Sequence, residues 1–278
     1  MRVLAKKPDI DFKILNITDP QLSNEEWADG HKHRAILEHT VNELVNRVKP
    51  DLITVSGDIA WGGHDRSYEM FAAFIDGFGI PWAPAWGNHD HEIENDAEYI
   101  DGIATKYMNY PHCIYEKGDP ALGNGNYVVM IEENGAPVEG VVMLDTHDRM
   151  PYTGPDGETK LAWAKLTQSQ AEWISRVITE LKAKGCKSAT LIMHIPIYAY
   201  RFASKAAYKP GIDLKSITPE AADGPDCWNE GYKDSIGVQY EGIESYPQDD
   251  GMLEVFKKLG IFLTCEPAYQ TKKLYHNS

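Results

Sequence analysis

Three short apolar runs in the first ninety or so residues are separated by two segments with helical periodicity. The runs are Phe12 to Ile17, Leu52 to Ser56 and Ile80 to Trp86. Between the first two, His33 to Lys49 carries Ile36, Leu37, Val41, Leu44, Val45 and Val48 on one stripe, and Pro50 closes it. Ser67 to Phe78 has the same periodicity. Uniformly apolar strands need cover on both faces, and a strand-helix-strand-helix-strand order gives it through a parallel sheet with right-handed crossovers. This predicts an α/β chain.

Further on, Asn126 to Glu132 and Val141 to Leu144 read as strands joined by a turn at Asn134-Gly135. Ser169 to Lys184 reads as a helix, with Thr167 and Gln170 at capping-box spacing and Gly185 at the position after its end. Ala189 to Met193 is a further buried strand ending at His194. A short helix is expected over Gly251 to Leu259 and a last strand over Ile261 to Thr264. The 278 residues suit one domain spanning 1–278, with an irregular insertion at about 199–248 rich in Gly, Pro, Tyr and Asp.

Composition narrows the partners. The formal charge of -15 repels nucleic-acid backbones and anionic membranes, so neither is expected as a partner. It also repels a phosphate ester unless bound cations reverse the field locally. No segment approaches the roughly 20 apolar residues of a membrane helix. The first residues show no apolar leader core, and Cys113, Cys186, Cys227 and Cys265 form no CxxC pair. Both features are expected of a cytoplasmic chain with reduced thiols.

In open α/β sheets, ligands bind beyond the carboxyl ends of the strands. Here those ends carry polar groups in series: Asp19 and Gln21, then Asp58, then Asn88, His89 and Asp90, then His194. Taken singly, Asp19 is a turn residue before Pro20, Asp58 a strand-to-turn transition and His194 a satisfied core histidine. Their recurrence at one predicted edge changes that weighting. Carboxylate, imidazole and amide oxygen suit Mn, Fe or Zn ions, and a carboxylate such as Asp58 can bridge two of them.

The series Asp19-x-Gln21, Gly57-Asp58, Gly87-Asn88-His89-Asp90 and His194 resembles the calcineurin-like metallophosphoesterases. Ile80-Pro81-Trp82, Leu166-Thr167-Gln168-Ser169-Gln170 and Met193-His194-Ile195-Pro196 resemble the purple-acid-phosphatase-like bacterial and fungal branch. The resemblance implies two β-sheets flanked by helices, two metal ions and a small phosphorylated substrate attacked by a metal-bound hydroxide. By the same resemblance Asp19 and Asp58 hold the first metal, with Asp58 bridging, and Asn88 and His194 the second. His89 then faces the phosphate, and Asp90 orients His89.

Two departures qualify this. The family's first motif usually reads Asp-x-His, and a neutral amide at Gln21 binds a metal more weakly. After Leu259-Gly260 the family presents Gly-His-x-His, whereas this chain reads Thr264-Cys265-Glu266-Pro267 and ends at Ser278. The expectation is a C-terminally incomplete fold, metals only partly held, and self-association through an exposed sheet edge. The functional alternatives are a working phosphoesterase, a catalytically impaired phosphate- or metal-binding remnant, and a nuclease, which the charge disfavours. Outside this series, His31-x-His33, Trp61, His64, His147 beside Asp145, Tyr198 and Arg201 stay open between surface or core roles and functional ones.

Overall fold

The computed structural model describes residues 1–201 and 245–260. Its strands are β1 (Arg2–Lys6), β2 (Ile14–Ile17), β3 (Leu52–Ser56), β4 (Trp82–Ala85), β5 (Tyr127–Glu133), β6 (Ala136–Met143), β7 (Arg149–Thr153), β8 (Thr159–Trp163) and β9 (Ser188–Ile192). Its helices are α1 (Lys32–Val48), α2 (Asp65–Asp76), α3 (Asp96–Tyr107), α4 (Gln168–Ala183) and α5 (Met252–Leu259).

The predicted parallel unit forms. β2, β3 and β4 make one sheet in that order, with Ile17 opposite Val55 and Ser56 opposite Ala85. Every residue of the central strand β3 is buried, which is why it reads as an unbroken apolar run. A second sheet has the order β1-β5-β6-β9, parallel at both outer pairs and antiparallel at the β5–β6 hairpin.

Alternation along β5 and β6 joins the layers. Val129, Ile131, Val141 and Met143 share one buried cluster with Leu52, Ile53 and Val55 of the first sheet and with Phe71, Ile75 and Ile100 of α2 and α3. Val128, Met130, Val142 and Leu144 pack instead with Ile174 and Ile178 of α4 and Phe256 of α5. One face of the second sheet thus meets the first sheet, and the other meets helices. The chain is the expected mixed α/β sandwich.

Three elements were not anticipated: β1, α3 and the β7–β8 ribbon. The strand β6 also begins at Ala136 rather than Val141, because its first half is only partly buried and lacks an apolar signal. Most of the 199–248 insertion, the strand expected over 261–264 and everything after Gly260 lie outside the described residues. Arg201 and Ser245 are described on either side of residues 202–244, and the Arg201 guanidinium donates to Ser245 Oγ and to its carbonyl, both at 2.7 Å. Two of the guanidinium's donors are thus taken up by a hydroxyl and a backbone carbonyl.

Candidate metal centre

The parallel register of β2, β3 and β4 brings their carboxyl ends to one edge. Two backbone bonds then lace the loops: Asp19 N–H donates to Gly57 O and Gln21 N–H to Asp58 O, each at 3.2 Å. Asp19, Gln21 and Asp58 take left-handed backbone angles, with φ of 50°, 38° and 50°. Such conformations cost about 1–3 kcal/mol each and persist where surrounding contacts enforce them, commonly at functional sites. Close approach also requires glycine at two positions. A Cβ on Gly87 would lie 2.2 Å from Asp58 Oδ1, and one on Gly57 would lie 2.8 Å from His194 Cγ.

Asp19, Asp58 and His194 each offer a ligand atom, and these atoms lie within 4.8 Å of one another. His194 Nδ1 sits 2.9 Å from the Ser56 carbonyl oxygen, which can only accept, so Nδ1 carries a proton. Nε2 is then directed at Asn88 Oδ1, 3.0 Å away, and Asp58 Oδ1, 3.3 Å away. That is the orientation of a metal-ligating imidazole whose other nitrogen is fixed by a carbonyl. Asn88 therefore joins the cluster, and Gln21 is tied to it through its backbone.

The electrostatics call for a cation. Burial, opposed by His194, pushes the Asp19 carboxyl up to about 6. Burial also works against ionised Asp58, but His194 and His89 outweigh it and hold Asp58 below its ordinary value. For His194, burial disfavours the charged form, yet Asp58 and Asp19 prevail and push it up to about 9. Among the described residues, the hydrogen bonds and ion pairs of Asp19, Asp58 and Asp90 run to histidines, hydroxyls and backbone amides, with no lysine or arginine among them. Crowded carboxylates whose cationic partners are imidazoles, themselves able to give up a proton and ligate, fit a bound metal.

His89 and Asp90 lie on the 3-10 turn after β4. The His89 amide donates to Asp58 Oδ1 at 2.9 Å, and its ring nitrogen Nε2 is 3.9 Å from Asp58 Oδ2. Its Nδ1 is 2.8 Å from Glu92 Oε2, close enough for an ion pair but without hydrogen-bond alignment. The expected Asp90 contact to His89 is not what the geometry provides. Asp90 is fully buried and accepts from the amides of Ile59, Ala60 and Gly87 and from the Tyr68 hydroxyl. Adjacency in sequence pointed the carboxylate at its neighbour, whereas the turn directs it into the core, and Glu92 takes the place beside the imidazole.

A family model described as calcineurin-like phosphoesterase matches residues 12–217. The chain belongs to the calcineurin-like phosphoesterase family. Phosphoester hydrolysis in this family depends on metal, which agrees with the ligand cluster above. No curated protein matches the chain. Among the described residues, no helix is long and apolar enough to cross a membrane.

Elsewhere in this phosphoesterase, the Leu166–Gln170 segment holds the second sheet to the site edge. Thr167 and Gln170 form the predicted capping box. The Gln170 amide group also donates to the Asp145 carbonyl at 2.6 Å and to Asn126 Oδ1 at 3.2 Å. Trp61 stands 6.1 Å from His89 between ring centroids, consistent with a pocket wall. His64 accepts from Asn24 N–H, and His31 caps α1 while His33 pairs with Glu26, so these histidines have local structural work.

Sequence reasoning missed a second cluster. His91, Asp145 and His147 also converge within 4.8 Å. Asp145 and His147 drew attention as a pair, but His91 is 54 positions from Asp145 and read only as text beside the Gly-Asn-His-Asp motif. Burial disfavours a charged His91, yet Asp145 and Asp96 push its pKa up to about 10. Burial likewise opposes ionised Asp145, and His91 overrides it, holding that carboxyl down to about 2.

Proposed function

We propose that this phosphoesterase hydrolyses small phosphomonoesters or phosphodiesters at a two-metal centre formed by Asp19, Gln21, Asp58, Asn88 and His194. The observation that supports it is the convergence of a buried and a half-buried carboxylate, an amide oxygen and an oriented imidazole where both sheets meet. Two ions of the Mn, Fe or Zn class would supply positive charge for the ester and activate water there. Asp58 has oxygens directed at both His194 and His89, so it suits the bridging position.

His89 is a proton donor to the leaving oxygen in this reading. Its side chain remains 24% exposed while Asp58, Asn88 and His194 behind it are buried, so it can reach a substrate at the mouth of the site. Glu92 lies 2.8 Å from the imidazole Nδ1, and the Trp61 ring stands beside it. The motif text around Ile80-Pro81-Trp82 and Leu166–Gln170 supports placement in the purple-acid-phosphatase-like branch. The amide at Gln21 would bind its metal more weakly than imidazole would.

Hydrolysis of an aryl phosphate with added Mn(II), comparing the wild type with Asp58→Ala and His89→Ala, tests this. Metal-dependent turnover lost in both variants is the expected result. Tight metal binding without turnover in the wild type would leave the non-catalytic remnant as the better reading.

A further inference from the structure

We propose that His91, Asp145 and His147 form a separate mononuclear site for a divalent ion of the zinc class, sharing no ligand with the Asp19–Asp58–His194 cluster. The three donors come from two segments: the turn after β4 supplies His91, and the loop between β6 and β7 supplies Asp145 and His147. His91 Nε2 lies 3.0 Å from Asp145 Oδ1, and His147 Nδ1 lies 3.6 Å from Asp145 Oδ2. Tetrahedral zinc with bonds of about 2.0–2.1 Å separates its ligand atoms by roughly 3.3 Å, and each imidazole meets one of the two Asp145 oxygens near that spacing.

The surroundings orient each donor. Asp96 Oδ2 sits 2.7 Å from His91 Nδ1, the carboxylate–histidine arrangement that leaves Nε2 for a metal. Asp145 is fully buried, and the amides of Asn124 and His147 donate to its two oxygens at 2.7 and 2.9 Å. His147 is held at a φ of 58°, in the left-handed region. Gly123 leaves the space this needs, since a Cβ there would be 2.5 Å from His147 Cε1 and 2.7 Å from Asp145 Oδ2.

Charge and access agree with the assignment. Two neutral imidazoles, Asp96, Asp145 and a divalent ion sum to zero. The His147 side chain is 34% exposed, so a fourth position can open toward water or a ligand. Two histidines and one carboxylate suit zinc or another first-row divalent ion. Without metal the same atoms form His91 ion pairs to Asp96 and Asp145, and that arrangement is the state zinc must displace.

Zinc counting on the full chain tests the site. Wild type, His147→Ala and Asp19→Asn/His194→Gln protein are each stripped, titrated with Zn(II) and measured by calorimetry and elemental analysis, with circular dichroism as the folding control. His147→Ala should bind one ion fewer than wild type while keeping its fold. The Asp19→Asn/His194→Gln variant should keep one ion, and Co(II) in its place should show the visible absorption of a low-coordinate site. Asp96→Asn should weaken that ion about 10–100-fold. Unchanged zinc stoichiometry and affinity in folded His147→Ala would overturn the proposal, as would no bound ion in a folded Asp19→Asn/His194→Gln chain. Either result would leave the cluster as a structural ion-pair network.

Discussion

The Tyr68 hydroxyl donates to Asp90 Oδ1 at 2.8 Å inside the core, linking α2 to the loops that carry the candidate metal ligands. Burial and the nearby Asp58 charge push the Asp90 carboxyl up to about 6, and the four donors around it oppose that shift. Asp90 therefore acts as a staple between the ends of β3 and β4. Tyr68→Phe removes one donor without changing ring volume. A hydrogen bond to a charged acceptor contributes about 1.5–3 kcal/mol, so a loss of that size is expected in chemical denaturation. An unchanged midpoint would mean that the backbone donors suffice.

His89 and Asp58 should separate catalysis from metal binding. His89→Ala is expected to lower kcat on an aryl phosphate by about 10²–10⁴, the usual range for losing a positioned proton donor. Its metal content should stay at the wild-type level. Asp58→Ala should lose activity and metal together, read by elemental analysis on the same preparations.

Gly87→Ala tests the closeness of the loops. Its new methyl would fall within 2.4 Å of both Asp58 Oδ1 and Asp58 N. Backbone there cannot yield without moving the strand ends, so a destabilisation of about 1–3 kcal/mol is expected, with weaker metal retention. Gly102→Ala is the control for the added methyl alone, because neither glycine has a positive φ and nothing stands within 4 Å of the atom added at Gly102.

Legibility in the sequence followed burial. β3 is buried throughout and its limits could be read to the residue, as could the Thr167–Gln170 cap. The helix α3 escaped notice because its buried face is built largely from Tyr107, Ile100, Ile103 and Ala104 around Asp101 and Gly102, which dilute the apolar stripe. β1 alternates exposed and half-buried residues and carries almost no core signal. The candidate ligands Asp19, Asp58, Asn88 and His194 are legible because each follows an apolar run. The partner of His89 and the joining of His91 to Asp145 depend on turn geometry and on contacts between distant segments, which no local pattern encodes.

Cys113 offers a pH test of the core. Burial pushes its thiol from the ordinary 9.0 up to about 12, so the native state holds this proton more tightly than the unfolded chain. The resulting stabilisation is complete below pH 9 and disappears as pH rises toward 12. Cys113→Ala should flatten the alkaline decline in stability by up to about 1.4 kcal/mol per pH unit across that window. Peptide mapping after alkylation at mildly alkaline pH should find Cys113 unlabelled in native protein and labelled after denaturation.

His194 hydrogen-bonds to Ser56 across 138 positions and to Asn88 across 106. During synthesis the first parallel sheet can be complete long before this histidine leaves the ribosome. The metal centre is therefore among the last features of the fold to be assembled, since its closure awaits a contact of very high sequence separation. A metal that binds only the closed site selects chains that have finished folding and adds its binding free energy to those alone. Metal uptake in a refolding experiment should accordingly lag the burial of the β2–β4 core, making the ion a reporter of the final step.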